Sequence, residues 1–79
     1  MSTEELKIAL ATGILVRWKG PFEYSTAVGT LTEIITYFDN GFKISAVLRD
    51  NAGNIYRCRP DELSFWRPTK KDQNDQEDN

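Results

Sequence analysis

Between Gly13 and Pro68 the chain is divided into short runs of β-branched and aromatic residues, each closed by residues that favour turns. The runs are Ile14–Trp18, Val28–Phe38, Phe42–Leu48, Asn54–Arg59 and Leu63–Trp66. Short runs of this composition favour strands over helices. A chain of 79 residues buries one core. We therefore predict an all-β fold, a five-stranded antiparallel sheet that curls into a small barrel, because closure removes exposed edges.

Two local signals refine this prediction. The apolar residues of Val28–Phe38 change parity, since Leu31 alternates with threonines whereas Ile34 and Ile35 are adjacent. A β-bulge or bend near Thr32–Glu33 reconciles the two halves of the strand. Asn40–Gly41 predicts a type I′ hairpin turn, because both central residues of that turn need positive φ.

The two ends differ from this middle part, so the predicted organisation is a lead-in at 1–12, a barrel at 13–68 and a tail at 69–79. Ser2 and Glu5 have the spacing of a helix capping box, but residues 6–10 fit a short helix or an extended segment equally well. The tail, rich in Asp and Glu, has no apolar residue and is predicted to be disordered.

Composition excludes several classes of function. The chain has no histidine and one cysteine, Cys58, so a zinc site, a disulfide and the commonest general base are all excluded. We expect a non-enzymatic protein with no catalytic residue, metal or cofactor. The uncharged stretch Ile8–Val16 is too short to span a bilayer, and Glu4 and Glu5 precede it where a signal peptide has positive charge. A soluble, cytoplasmic protein without membrane contact, monomeric when free, is expected.

Charge is distributed unevenly along the chain. The net charge is −2, but residues 6–71 contain all ten bases and only six of the twelve acids. Arg57 and Arg59 share the outward face of one strand, and Lys43 or Arg49 extends that face across the hairpin. These bases predict either an anion-binding face or an ordinary solvated face with cross-strand partners, Glu33 or Asp61.

Aromatic residues supply further candidates. Phe22 and Tyr24 lie in the polar loop after Lys19, where they either contact a ligand or, in the interpretation we favour for Phe22, fold back onto the core. Trp18 and Trp66 end neighbouring strands, so they form one exposed groove or cap the barrel. We expect Trp18 to be buried and Trp66 to be partly exposed.

The segment Val16-Arg17-Trp18-Lys19-Gly20-Pro21-Phe22, followed by Gly29-Thr30-Leu31 and Ile34, resembles the KOW motif of bacterial NusG, its eukaryotic counterparts among transcription factors, and some ribosomal proteins. The resemblance implies an SH3-like barrel whose first long loop contacts nucleic acid or a protein partner. This chain departs from the motif in its longer loop from Phe22 to Gly29.

Two functions follow as hypotheses. The first is a KOW-like binding module that attaches to a protein or nucleoprotein complex, with weak RNA or DNA contact through its first loop and basic hairpin face; its candidate contact residues are Lys19, Phe22, Tyr24, Lys43, Arg57, Arg59 and Trp66. The second is a protein-binding adaptor or small inhibitor that uses the aromatic anchors Trp66, Tyr24 and Tyr37.

Overall fold

A computed structural model describes residues 1–67, so the predictions for the tail at 69–79 lie outside the described residues. In chain order the elements are helix α1, four strands, a 3₁₀ turn and a last strand: α1 Thr3–Thr12, β1 Val16–Lys19, β2 Thr26–Phe38, β3 Phe42–Asp50, β4 Ile55–Cys58, the 3₁₀ turn Pro60–Glu62 and β5 Leu63–Phe65. The five predicted strands are confirmed. Within residues 1–67 no helix is both long and apolar enough to cross a membrane.

Helix α1 shows which of the two interpretations of the lead-in is right. The Ser2 side chain accepts a hydrogen bond from the Glu5 backbone, and the Glu5 carboxylate accepts one from the Ser2 backbone. Gly13 ends the helix in the left-handed conformation, with φ of 70°, and its N–H donates to the Ala9 carbonyl. The segment is therefore helical, with capping groups at both ends.

The sheet is antiparallel throughout, in the order β4-β3-β2-β1-β5. The predicted closure into a barrel is wrong, because β4 and β5 form no ladder in the described part of the chain. These two end strands have only four and three residues, and the 3₁₀ turn separates them. Helix α1 instead adds Leu6 and Ala9 to the core that the sheet surrounds, so the curved sheet stays open.

Strand β2 is the bent centre of the sheet. Its pairing with β3 shifts register between Leu31 and Glu33, which confirms the predicted bulge. Before the bulge, Gly29 pairs with Val16 of β1 on one side and with Asp50 of β3 on the other. Strand β2 therefore connects the β1–β5 part of the sheet to the β3–β4 part.

The β2–β3 hairpin differs slightly from the predicted turn. Asn40 and Gly41 both have positive φ, 56° and 119°, as the sequence predicts. Phe38 pairs with Phe42, however, so the connection has three residues, Asp39 to Gly41, and is one residue longer than a type I′ turn.

The core consists of side chains from α1 and from the inner faces of all five strands. Its buried members are Leu6, Ala9, Val16, Leu31, Ala46, Leu48, Cys58 and Leu63. Side chains of opposite parity along the strands form the outer face of the sheet, which α1 leaves uncovered. The predicted surface contacts lie on this outer face and in the loops.

Candidate binding surface

The first loop, Gly20–Ser25, is a compact turn that presents two aromatic rings to solvent. Ser25 N–H donates to the Phe22 carbonyl at 2.9 Å, and Gly20 N–H donates to the Ser25 carbonyl at 2.7 Å. The Phe22 and Tyr24 rings are stacked, with centroids 5.4 Å apart and planes 4° apart. Because Phe22 is 58% exposed and Tyr24 is 82% exposed, the interpretation of Phe22 as a plug of the core is wrong.

Gly20 and Trp18 form the base of this loop. A β-carbon at Gly20 would lie 2.8 Å from Cζ2 of Trp18 and 2.8 Å from Cβ of Ser25, so only glycine fits between them. The Trp18 indole lies beneath the loop, where Phe22 would lie if its ring folded back onto the core. The loop therefore rests on Trp18, and Phe22 and Tyr24 remain outside.

Trp18 is itself held by two partners on the inner side of the sheet. Its Nε1–H donates to Oε1 of Glu62 at 3.0 Å, and its ring lies 5.2 Å from the ring of Tyr56. Tyr56 belongs to β4, which is not a neighbour of β1 in the sheet. This contact joins the two halves of the open sheet and leaves Trp18 partly buried, whereas the sequence predicts that it is buried.

Asp50 stabilises the β3–β4 turn by hydrogen bonds and also binds the Tyr56 hydroxyl. Its carboxylate accepts hydrogen bonds from the backbone N–H groups of Ala52 and Asn54, from the Asn54 side chain at 3.1 Å and from the Tyr56 hydroxyl at 3.0 Å. The Asn54 side-chain hydrogen bond is the main cause that lowers the pKa of Asp50 below its ordinary value of 3.8. The hydrogen bond that the Tyr56 hydroxyl donates to Asp50 is the main cause that raises the pKa of Tyr56.

We expect Asp50 to make stability depend on pH. Because its folded pKa lies below its unfolded pKa, its ionised form stabilises the fold above about pH 4, and this stabilisation is lost as pH falls through the folded pKa. Urea titrations of wild type and Asp50→Asn should therefore differ more at pH 7 than at acidic pH. Asp39→Asn is the control, and a pH-independent difference for Asp50→Asn would contradict the prediction.

The outer face of β1 and β3 carries bases that have no acidic partner among the described residues. Arg17 and Lys19 lie on β1, opposite Val28 and Thr26, and Arg49 lies on β3, opposite Thr30. None of the three forms an ion pair with another of the described residues. Lys19 directly precedes the first loop, so positive charge adjoins the exposed ring pair.

Two of the three bases near the hairpin, Arg57 and Arg59, are engaged within the protein. The Arg57 guanidinium lies over the Tyr37 ring, 5.2 Å from its centroid. Arg59 pairs with Asp61 at 3.6 Å, which agrees with the solvated-face alternative. Lys43 lies opposite Tyr37 and shares a concavity of about 490 Å³ with Tyr37, Arg59 and two acids, Asp39 and Asp61. This side of the sheet therefore has mixed charge.

Trp66 does not join Trp18. The register pairs Trp18 with Leu63 and Val16 with Phe65, and Trp66 N–H donates to the Leu15 carbonyl at 3.1 Å. The two tryptophans therefore lie at opposite ends of the β1–β5 pair, and the alternative in which they form one groove is wrong. Trp66 is partly exposed, as the sequence predicts, and lines a concavity of about 310 Å³ with Arg17, Ser64, Phe65 and Arg67.

The predicted site residues thus fall into separate groups. Lys19, Phe22 and Tyr24 lie at the start of β2, whereas Lys43 and Tyr37 lie near its far end. The 13 residues of β2 span at most about 40 Å. A small ligand contacts one group or the other, and the group at the first loop combines the unpaired Lys19 with the stacked, exposed rings of Phe22 and Tyr24.

The sequence reasoning missed a second aromatic pair, at the tip of the hairpin. Phe38 and Phe42 are 72% and 81% exposed, and their rings meet edge to face with centroids 5.6 Å apart. The signal was present in the sequence, because an aromatic residue lies on each side of the turn Asp39–Gly41. The hairpin extends beyond the core, so alternation along β3 does not bury Phe42.

Cys58 is buried, as strand periodicity predicts. Burial, with the negative charge of Glu62 as a second cause, raises the pKa of its thiol to about 12. Because the thiolate is the reactive form, we expect the native thiol to react with Ellman's reagent at pH 8 about 100-fold or more slowly than in denaturant. Equal rates in the two states would contradict this. Among residues 1–67 no three potential metal ligands come together.

Comparisons with known proteins give no relative: no protein-family model, no curated protein and no solved structure matches the chain.

Proposed function

We propose that the chain is a non-enzymatic, KOW-like binding module that attaches to a nucleoprotein assembly, with its first loop contacting single-stranded nucleic acid. The observation that supports this most strongly is the exposed, stacked pair of Phe22 and Tyr24 on a hydrogen-bonded loop. Aromatic faces of this kind stack on unpaired bases of any sequence.

Positive charge on the outer face of the sheet supports the same ligand. Lys19 and Arg17 on β1 and Arg49 on β3 have no acidic partner among residues 1–67, so they are available for phosphate groups. Arg57 and Arg59 have a smaller part in this proposal, because Arg57 stacks on Tyr37 and Arg59 pairs with Asp61. Lys43 also has a smaller part, because it lies near the far end of β2, away from the first loop. A duplex hides its base faces, so we expect the single strand to bind more tightly.

The proposal is tested by fluorescence anisotropy with labelled single-stranded RNA and DNA of mixed sequence. Tyr24→Ala should weaken binding about 5- to 150-fold, the range expected for one lost base–aromatic stack. Lys19→Ala should weaken binding and lower the slope of log affinity against log salt by about 1. Phe42→Ala is the matched control, since Phe42 is as exposed as Tyr24 and lies at the far end of β2.

Three results would contradict parts of this proposal. If neither RNA nor DNA binds at low ionic strength, the nucleic-acid contact is wrong. If Phe42→Ala weakens binding as much as Tyr24→Ala, the ligand does not stack on the first loop. Binding that is unaffected by salt would show that Lys19, Arg17 and Arg49 do not contact phosphates.

The alternative function, a protein-binding adaptor, is favoured by the number of exposed aromatic residues. Tyr24, Trp66 and Tyr37 do not cluster, because they lie on the first loop, after β5 and near the far end of β2. An adaptor would therefore use one anchor at a time, and the exposed pair Phe38 and Phe42 is better placed than half-buried Tyr37.

A further inference from the structure

Strand β1 carries a row of outward basic side chains that leads away from the first loop. Arg17 and Lys19 alternate with inward side chains, and both are exposed. Lys19 adjoins the loop that holds the stacked rings, and Arg17 lies two residues further along the strand, about 7 Å away. The residues paired with Arg17 are uncharged, Val28 on β2 and Ser64 on β5. The row therefore continues the positive charge of the first loop across the outer face.

A second aromatic position lies at the other end of this row. Trp66 N–H donates to the Leu15 carbonyl, so the β1–β5 pairing continues as far as Trp66. Alternation along the chain places the Trp66 side chain on the same outward face as Ser64. We call the hollow beside it the β5 concavity; it is lined by Arg17, Ser64, Phe65, Trp66 and Arg67. Its volume is about 310 Å³, and because a cavity of about 150 Å³ holds one benzene molecule, it has room for one nucleobase beside the Trp66 ring.

The charges around this face are mostly positive. Arg17 and Arg67 line the β5 concavity, and no acid among the described residues does. Two acids lie nearer the first loop: Glu23 is part of the loop, and Glu62 belongs to the 3₁₀ turn, where its carboxylate accepts a hydrogen bond from the Trp18 indole on the inner side of the sheet. Neither acid forms an ion pair with a base of β1. Positive charge therefore predominates along β1 and at the β5 concavity, which favours a polyanion.

The distance between the two aromatic positions fits a short single strand. Leu15, beside Trp66, and Lys19, beside the first loop, are four residues apart, which is about 13 Å along an extended chain. Phosphates of one helical strand are about 3.4 Å apart along its axis, so this path corresponds to about four nucleotides. Arg17 lies between the two ends, where the phosphates of the intervening nucleotides pass.

We propose that one single strand of nucleic acid follows the outward face of β1, with one base stacked on the first loop and another on Trp66 in the β5 concavity. This inference rests on the proposed function and adds to it a second stacking residue, Trp66, and a phosphate track formed by Lys19, Arg17 and Arg67. Aromatic rings at both ends of a basic row match the bases and phosphates of such a strand. Because both contacts belong to one strand, they reinforce each other only when the strand is long enough to reach both.

The test compares a dodecanucleotide with a dinucleotide, both single-stranded, at low ionic strength. The full chain is used, so the acidic residues of 72–78 are present. Fluorescence anisotropy measures the dodecanucleotide, and nuclear magnetic resonance titration measures the more weakly bound dinucleotide. Trp66→Ala should weaken dodecanucleotide binding about 5- to 150-fold, the range for one lost base–aromatic stack. It should weaken dinucleotide binding by about twofold at most, because a dinucleotide reaches one position only.

Two further variants separate contact with the ligand from a structural effect. Trp66→Phe keeps an aromatic face and should retain most of the affinity for the dodecanucleotide. Arg17→Ala should lower the slope of log affinity against log salt by about 1. Arg57→Ala is the matched control and should leave that slope nearly unchanged, because the Arg57 guanidinium lies over the Tyr37 ring. Circular dichroism confirms that each variant is folded.

The outcomes distinguish this inference from the function on which it rests. If Tyr24→Ala weakens dodecanucleotide binding and Trp66→Ala does not, the second stacking position is wrong and the proposed function stands. Equal weakening of both probes by Trp66→Ala would also overturn the inference, since Trp66 would then not be a second contact on a longer strand. An unchanged salt slope for Arg17→Ala would overturn the phosphate track. If the wild type binds neither probe, the proposed function fails, and this inference fails with it.

Discussion

Replacing Gly29 by alanine should destabilise the protein more than the same substitution at Gly13. Gly29 pairs with Val16 and Asp50 at the point where β2 joins the two parts of the sheet. A β-carbon there would lie 2.7 Å from the carbonyl carbon of Arg49, 2.9 Å from Cα of Asp50 and closer still to the carbonyl oxygen of Arg49. These are backbone atoms of a paired strand, so no side-chain rotation relieves the overlap.

We expect Gly29→Ala to cost about 3 kcal/mol, at the upper end for overpacked sites. For a domain of this size that lowers Tm by about 12 to 24 °C. Gly13→Ala is the control, because a β-carbon at Gly13 meets no atom within 4 Å and only the left-handed conformation opposes it, at about 1 to 2 kcal/mol. Thermal unfolding, monitored by circular dichroism, measures the Tm of both variants. A smaller loss of stability for Gly29→Ala than for Gly13→Ala would contradict this account.

The features predicted correctly from the sequence are those that depend on neighbouring residues. The parity change around Ile34 and Ile35 located the bulge, and Asn40–Gly41 located the hairpin turn with both residues at positive φ. The capping box at Ser2 and Glu5 indicated a helix, but the apolar pattern of residues 6–10 was too short to decide. Local periodicity and turn preferences are sufficient for strands because they are properties of short segments.

The wrong predictions each depended on contacts between distant segments. Phe22 was expected to cover the core, but Trp18 occupies that place because Glu62 and Tyr56 hold its indole there. Trp18 and Trp66 end neighbouring strands, but the antiparallel register separates them. Closure of the sheet likewise depended on strand lengths and on the docking of α1, which no single segment determines.

In the candidate site, too, the sequence predicts features of single strands but not contacts between distant residues. Strand periodicity placed Arg57 and Arg59 on the outer face, but it did not show that Arg57 lies over Tyr37 or that Arg59 pairs with Asp61. Bases without an ion pair among residues 1–67 lie instead on β1 and β3, and one of them, Lys19, directly precedes the first loop. Which bases are available for a ligand therefore depends on their cross-strand neighbours. For this reason we place the candidate site at the first loop and not at the hairpin.

Helix α1 is the element on which the open sheet most depends for its core. Leu6 is fully buried, with 0% of its surface exposed, and belongs to the same cluster as Val16, Leu31 and Leu48. Leu6→Ala should therefore cost about 2 to 5 kcal/mol through lost burial and the cavity left behind. Domains of this size are stable by only about 4 to 12 kcal/mol, so this single substitution removes a large part of the stability.

Leu10→Ala makes the same chemical change one turn later in α1, where the leucine is 38% exposed and outside the buried cluster. It should cost about 1 kcal/mol or less, since alanine also favours the helix. Urea unfolding of both variants, followed by tryptophan fluorescence, measures the difference. Equal losses would mean that α1 contributes through its helical stability alone, whereas a large loss confined to Leu6→Ala would show that its docking completes the core of a sheet that does not close on itself.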